Sequence, residues 1–448
     1  MSDRRKVLKP FEDQKDFLNE IVNSNIEKFR KGDGKITVID KFGKPLKNAK
    51  IKLSQKSHEF KHGANIFMLD ELESDRKNDL YKEHFAKAFN MATLPFYWDA
   101  LEPEKGKPRY DKNSKRIYRR PPIDLLIDFC EKHGIEPREH ALAYEHFFPF
   151  WLSDATIDEV KEQYHRRCKE ISSRYANKIP TIEVTNEMDW ESGRTKFYTS
   201  PDYVEWCFKT TEKYFPNNQL VINEATKFCW GDDITKTGKY YSYIEKAISN
   251  GARVDAIGLQ YHMFFSKDNE ILQTQKYYSP KNLYDNLDLF ATFGKPVQVT
   301  EVTIPSYSWN EEDEQIQAEI IDYLYSIWFS HPAVEQIVYW NLVDGYAHVW
   351  EDDPVLISRT QGDMKIGENY YHGGLLRFDL SPKPAYFKIR ELFEKRWHTE
   401  GTIETDENGV ACFRGFYGDY SVSIENQRDN AKISLLKNNK NDFTITLS

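Results

Sequence analysis

The chain has 448 residues with 62 basic against 71 acidic side chains, a formal net charge of −9. A surface that grips nucleic acid or an anionic membrane needs a basic excess, so this balance argues against both partners. Hydrophobic residues make up 40 %, enough for one large domain or two to three ordinary ones. The 27 Tyr, 28 Phe and 10 Trp exceed what a core needs and fit a site that stacks on flat faces, an aromatic-rich core being the plain alternative.

Cys130, Cys168, Cys207, Cys229 and Cys412 show no metal-type spacing. An odd, scattered set reads as reduced thiols in a cytosolic protein. The N-terminal run MSDRRKVLKPFEDQKDF is basic at its start but lacks an apolar core segment. Neither a signal peptide nor a membrane span is therefore expected. A cytoplasmic location is the expectation, with secretion open if a leader has been removed.

In chain order, Phe17, Ile21, Val22, Ile26 and Phe29 recur at helical spacing, giving an N-terminal helix within residues 1–33 that GDG at 32–34 should stop. KITVID and AKIKLS then alternate with period two around FGKP at 42–45, a hairpin signal. The C-terminal runs GTIETDENG, ACFRGFYGDYSVSI and NDFTITLS also read as short strands. Short sheets need partners, so residues 34–58 and 399–448 are expected to form one small β-sandwich. Two separate β appendages are the alternative.

The middle, residues 59–398, alternates strands with helices. Eight strand candidates are FKHGANIF, KAFNMATLPFYW, IEPREHALAY, TIEVTNE, QLVINEA, VDAIGLQYH, PVQVTEV and EQIVYWNLVD. Between the third and fourth of these lies TIDEVKEQYHRRCKEISSRY, in which Ile157, Val160, Tyr164, Cys168, Ile171 and Tyr175 form one apolar stripe. Thr156 and Glu159 make a capping box at its start. IDLLIDFCEKHG is closed by Gly134. Eight βα repeats over this length describe a (β/α)8 TIM barrel with extended loops, the predicted fold class α/β. A doubly wound open sheet competes, but no Gly-rich phosphate turn follows the first strand.

Such barrels carry their sites at the C-terminal strand ends. There the third strand passes through His140 and ends near Tyr144 and Glu145. The fourth ends in Asn186 and Glu187, the fifth in Asn223 and Glu224. The sixth offers Gln260 and His262, the seventh Thr300 and Glu301, the eighth Trp340. The fourth and seventh strands face each other across the mouth, so Glu187 and Glu301 form an opposed carboxylate pair. Such a pair suits glycoside hydrolysis: one protonated acid serves the leaving oxygen, and one ionised group attacks or activates water. A lone Glu is usually a solvated acid; the pairing at two strand ends, with amides and imidazoles beside it, favours the catalytic reading.

Several blocks then carry a resemblance in register: WDALEPEKG (98–106), REHALAYEHFFPFWL (138–152), EVTNE, LVINEA, AIGLQYH, VQVTEV and GGLLRFDLSPKPAYFKI (373–389). Together they resemble glycoside hydrolase family ten, the retaining endo-xylanase family. The resemblance implies Glu187 as general acid/base, Glu301 as nucleophile, and Asn186 on the 2-hydroxyl of the sugar at the cleavage point. It implies that Gln260, His262 and His140 line that subsite, with His262 orienting Glu301.

The departures lie around that subsite. Leu94 and Tyr97 stand where the family usually has Asn and Lys, Tyr144-Glu145 where it has Trp-His, and Glu224-Ala225-Thr226 after Asn223 where it has Asp-Tyr-Asn. Trp350 follows Trp340 by ten residues rather than eight. Plain xylan is then not assured as the preferred substrate. Trp98, Tyr144, Tyr261, Trp340 and Trp350 are candidates for stacking on sugar faces, core packing being the plainer alternative. The expected function is a retaining glycoside hydrolase on β-linked, xylan-type saccharides. An exo-acting or altered-specificity β-glycosidase, or a non-catalytic carbohydrate-binding protein, stands as the alternative. Neither metal nor cofactor is expected, because two carboxylates and water suffice.

Overall fold

A computed structural model of the chain describes residues 3–189, 195–231, 234–349, 360–427 and 430–447. Strands β1 (Lys31–Ile39) and β2 (Lys50–Gln55) come first. The next eight are β3 (Lys61–Asn65), β4 (Met91–Pro95), β5 (Glu136–His140), β6 (Thr181–Asn186), β7 (Gln219–Glu224), β8 (Ala256–His262), β9 (Val297–Thr303) and β10 (Val334–Tyr339). Each pairs in parallel with the next, and β10 returns to β3, so the sheet closes as the predicted barrel. The chain ends with β11 (Glu400–Glu404), β12 (Val410–Phe416), β13 (Gly418–Ile424), β14 (Asn430–Leu435) and β15 (Asp442–Thr446).

Helices alternate with the barrel strands for the reasons the sequence offers. The helix Ile157–Tyr175 buries Val160, Tyr164, Cys168, Ile171 and Tyr175 of the forecast stripe and leaves Ile157 half-buried. Each such side chain contributes about 1.5–3 kcal/mol when fully buried. Its capping box is formed: Glu159 N–H donates to Thr156 Oγ1 at 3.3 Å and Thr156 N–H to Glu159 Oε2 at 2.8 Å. Such a cap is worth about 1 kcal/mol. Gly134, at φ 66°, ends the helix Ile123–His133 in the left-handed conformation that glycine adopts at least cost. Among the described residues, no helix is long and apolar enough to cross a membrane.

The termini meet as expected. One sheet orders β12-β1-β15 and the other β11-β2-β13-β14. Ile36, Val38, Ile51, Leu53, Val422 and Leu435 fill the layer between them. Two local readings are corrected. The strands flanking FGKP do not pair as a hairpin. The turn brings Asp40 N–H to Lys44 O at 2.9 Å and leaves a single bridge between Ile39 and Pro45, after which β2 joins the other sheet. Nor does GDG end the helix, which stops at Phe29; Gly32 and Gly34 lie inside β1. Their smallness is used there, since a Cβ would come within 2.5 Å of the Tyr417 ring and 2.4 Å of the Phe413 ring. The helical segment before β1 is broken, including a π-helical turn at Leu18–Val22. It packs Val7, Phe11, Val22 and Ile26 into the barrel's own core.

Candidate active site

At the C-terminal strand ends the structure places a cavity of about 670 Å³. Glu187 and Glu301 both line it, with Asn186, Gln260, His262 and His140. Tyr144, Glu145 and Trp340 line it too.

The two carboxylates are joined by an amide chain. Gln260 Nε2 donates to Glu187 Oε1 at 2.9 Å and to Asn186 Oδ1 at 3.1 Å. Asn223 Nδ2 donates to the same Asn186 oxygen at 3.0 Å and to Glu301 Oε1 at 3.0 Å. Two donors on one oxygen fix the Asn186 amide, so its Nδ2 is a donor, and it is buried with no acceptor in the protein. Asn223 is held in turn by Thr300, whose hydroxyl donates to its Oδ1 at 2.7 Å. Gly258 on β8 makes room for that amide, because a Cβ there would sit 2.4 Å from Asn223 Oδ1.

Glu187 lies just past β6 with φ of 50°, a conformation most residues avoid. Its N–H donates to Asn223 O at 3.2 Å, which anchors that turn. Tyr144 OH donates to Glu187 Oε2 at 2.5 Å. Burial, then the nearby charge of Glu301, pushes the Glu187 carboxyl up to about 7. Burial, with the charge of Glu183, pushes Glu301 up to about 7 as well, opposed by His140, Arg138 and the Asn223 hydrogen bond. His262 bridges Glu301 Oε2 at 3.2 Å and Thr303 Oγ1 at 2.9 Å. Burial lowers its imidazole to about 4, so at neutral pH it is uncharged. An ionised Glu301 then takes Nε2–H, and Nδ1 accepts from Thr303.

Not every candidate reaches the cavity. Tyr261 alternates with Gln260 and His262 along β8 and so points out of the barrel, where its ring packs against Trp230 and Trp328. Trp98 is buried among Phe148, Trp151 and Tyr164, with its Nε1 donating to Glu102 at 3.2 Å. Asn223 sits beneath the cavity floor as a linker between carboxylates. Leu94 belongs to the hydrophobic core, while Tyr97 lines the cavity and bonds His140 Nε2 at 2.9 Å through its hydroxyl. Trp350 lies outside the described residues.

Residues that sequence reasoning passed over complete the site. Glu183 on β6 accepts from Asn223 at 3.2 Å, pairs with Arg138 of β5, and meets His140 Nδ1 at 2.8 Å. The signal was visible: Arg138, Glu139 and Glu183 are charged residues inside strands buried on both faces. His140, Glu183 and Glu301 bring potential metal-ligand atoms within 4.8 Å of one another. The Arg138 charge and the Asn223 amide already engage both carboxylates, which makes this set a poor cradle for a cation. Arg119 and Arg120, in the long segment after β4, line another wall, and nothing in the sequence pattern singled them out.

The model of the family described as Glycosyl hydrolase family 10 matches residues 57–391. The anti-sigma-I factor RsgI6 of Acetivibrio thermocellus is 25 % identical over 407 residues, which are 90 % of this chain and 46 % of that protein. Endo-1,4-beta-xylanase 2 of Arabidopsis thaliana is 25 % identical over 389 residues, 85 % of this chain and 31 % of that one. The chain thus spans less than half the length of these two relatives. Endo-1,4-beta-xylanase B of Thermotoga neapolitana is 24 % identical over 349 residues, 75 % of this chain and 88 % of that one. Among solved structures, native xylanase 10B from Thermotoga maritima superposes with a TM-score of 0.58 at 23 % identity, covering 75 % of this chain and 96 % of that one. At that identity the likeness speaks for the fold.

Proposed function

This chain belongs to glycosyl hydrolase family 10, and from that premise we propose that it is a retaining β-glycoside hydrolase acting on β-linked, xylan-type saccharides. The observation that carries the reading is the buried pair Glu187 and Glu301, set at the ends of β6 and β9 in one cavity and tied together through Gln260, Asn186 and Asn223.

In the proposed reaction Glu187, protonated, gives its proton to the leaving glycosidic oxygen while Glu301 attacks the anomeric carbon. The C–O bond to the leaving sugar breaks as the bond to Glu301 forms. Glu187, now ionised, then takes a proton from water, which displaces Glu301. Both carboxyls are raised to about 7, so the division of roles is proposed from the family's order of motifs and from what touches each group. Burial, with the charge of Glu301 beside it, lets Glu187 hold its proton to about 7. Glu301 is raised by burial to about 7 as well, but His140, Arg138 and the hydrogen bond from Asn223 pull it toward the ionised form. Asn186 Nδ2, buried without a protein acceptor, suits a sugar hydroxyl at the cleavage point.

Xylan is the substrate named for several relatives, among them the Thermotoga neapolitana endo-1,4-beta-xylanase B. Here the subsite's neighbours differ, with Tyr97 on the wall and Leu94 in the core, so weak binding of xylobiose is expected. Incubation with a 2-deoxy-2-fluoro xylobioside carrying an activated aryl leaving group tests the reading. A covalent adduct on the peptide holding Glu301 supports it. Turnover without an adduct, or an adduct on another residue, overturns the assignment.

A further inference from the structure

The long segment after β4 ends in Arg119 and Arg120, both lining the catalytic cavity. They are only 3 % and 7 % exposed. Arg119 Nη1 donates to Asn341 Oδ1 at 2.7 Å and Tyr346 O at 2.6 Å, which tethers the segment after β10. Its Nε is buried with no acceptor. Arg120 Nη1 donates to Arg119 O at 2.9 Å. The Arg120 guanidinium carbon lies 3.9 Å from the centre of the Tyr97 ring and 5.0 Å from that of Phe147. Among the described residues, neither arginine forms an ion pair with a carboxylate.

The Asp99 charge acts on Arg120 without a contact ion pair, and among the described residues two guanidinium groups buried without a paired carboxylate are costly. The chain does not lack acids, with 71 against 62 bases. Glu368, on the same cavity, takes the Asn341 amide at 3.0 Å rather than either arginine. Tethering explains two of the Arg119 bonds but not Arg120, nor the Arg119 Nε. The arginines rest on an aromatic wall, since Phe67 meets the Tyr97 ring at 5.8 Å and the Trp340 ring at 5.3 Å. Through the bond from Tyr97 to His140 that wall adjoins the catalytic network.

We infer that Arg120, with Arg119 Nε beside it, forms a subsite for a carboxylate carried by the substrate, that is, a uronic acid unit on a β-linked saccharide. The inference rests on the hydrolase reading above. A planar, singly charged carboxylate matches the guanidinium fork. A doubly charged phosphate ester would bring more negative charge close to Glu187 and Glu301 and fits less well.

The test compares kcat/KM for neutral xylo-oligosaccharides and for glucuronic acid-substituted ones of equal length, in the wild type, Arg120→Gln and Arg120→Lys. A hydrogen-bonded charge pair is worth about 1.5–3 kcal/mol, so the acidic substrate is favoured about tenfold to a hundredfold in the wild type. The acidic-to-neutral ratio falls toward one in Arg120→Gln and recovers in part in Arg120→Lys. Calorimetry of the same oligosaccharides on Glu301→Gln gives a second readout, with a preference for the acidic ligand that weakens as salt rises. Equal efficiency on both substrates, or a ratio untouched by Arg120→Gln, overturns the subsite and leaves the hydrolase reading standing. Selective binding of the acidic ligand without any hydrolysis by the wild type overturns the hydrolase reading and leaves the subsite. A preference for sulfated or phosphorylated sugars over uronates overturns the choice of anion.

Discussion

The Tyr144 hydroxyl donates to Glu187 Oε2 at 2.5 Å, on the carboxyl assigned as acid. A hydrogen bond to the ionised form lowers a carboxyl's pKa, so this contact holds Glu187 below where burial alone would put it. In the proposed acid role Glu187 must be protonated, so kcat/KM falls as pH rises through about 7. Removing the donor with Tyr144→Phe moves that alkaline limb upward by about one pH unit. A limb that stays in place or moves down in the measured profile contradicts the role of Tyr144 as the donor that holds Glu187 down.

Removing the proposed acid separates the two chemical steps. With Glu187→Ala, natural oligosaccharides, whose leaving groups need a proton, lose about 10²–10⁴-fold in kcat. Aryl glycosides with good leaving groups need no proton to depart and lose far less in the first step. Steady-state rates on both substrate types check this. Equal losses on the two count against the acid role.

Glu224 offers a stability test outside the proposed chemistry. It is fully buried, and burial, with the Glu187 charge, pushes its carboxyl up to about 8. A carboxyl raised in the folded state binds more protons folded than unfolded. Its contribution is therefore intact below the ordinary carboxylate range and is lost as pH rises through about 8. Glu224→Gln removes this dependence, so the melting temperature of the variant exceeds that of the wild type more at pH 9 than at pH 5. A difference that is the same at both pH values contradicts the assignment.

Trp98 was a candidate for sugar stacking, and the structure packs it in the core. Trp98→Ala is then a stability mutant, costing about 3–5 kcal/mol in denaturant unfolding. In the fraction that remains folded, KM stays within about twofold of the wild type. A large rise in KM with little loss of stability would return Trp98 to the substrate.

What was legible follows from periodicity. The eight strands are short apolar runs, and their C-terminal ends fall where turn residues begin, so Glu187 and Glu301 could be placed on one rim from spacing alone. Tyr261 shows the limit of reading single residues, since its neighbours Gln260 and His262 point inward and it must point outward by the strand's alternation. The supposed hairpin at FGKP failed because alternation marks a strand but not its sheet, and β1 and β2 choose different ones. Arg119 and Arg120 left no trace, because a loop has no period and only tertiary contacts with Tyr97 and Asn341 bring them to the cavity.

The account stands on double displacement at the Glu187 and Glu301 pair. Following the anomeric proton by NMR during hydrolysis of a defined β-linked xylo-oligosaccharide tests it most directly. Double displacement releases the newly formed reducing end first as the β-anomer, which only later mutarotates. An α-anomer formed first would mean single displacement by water and would contradict it.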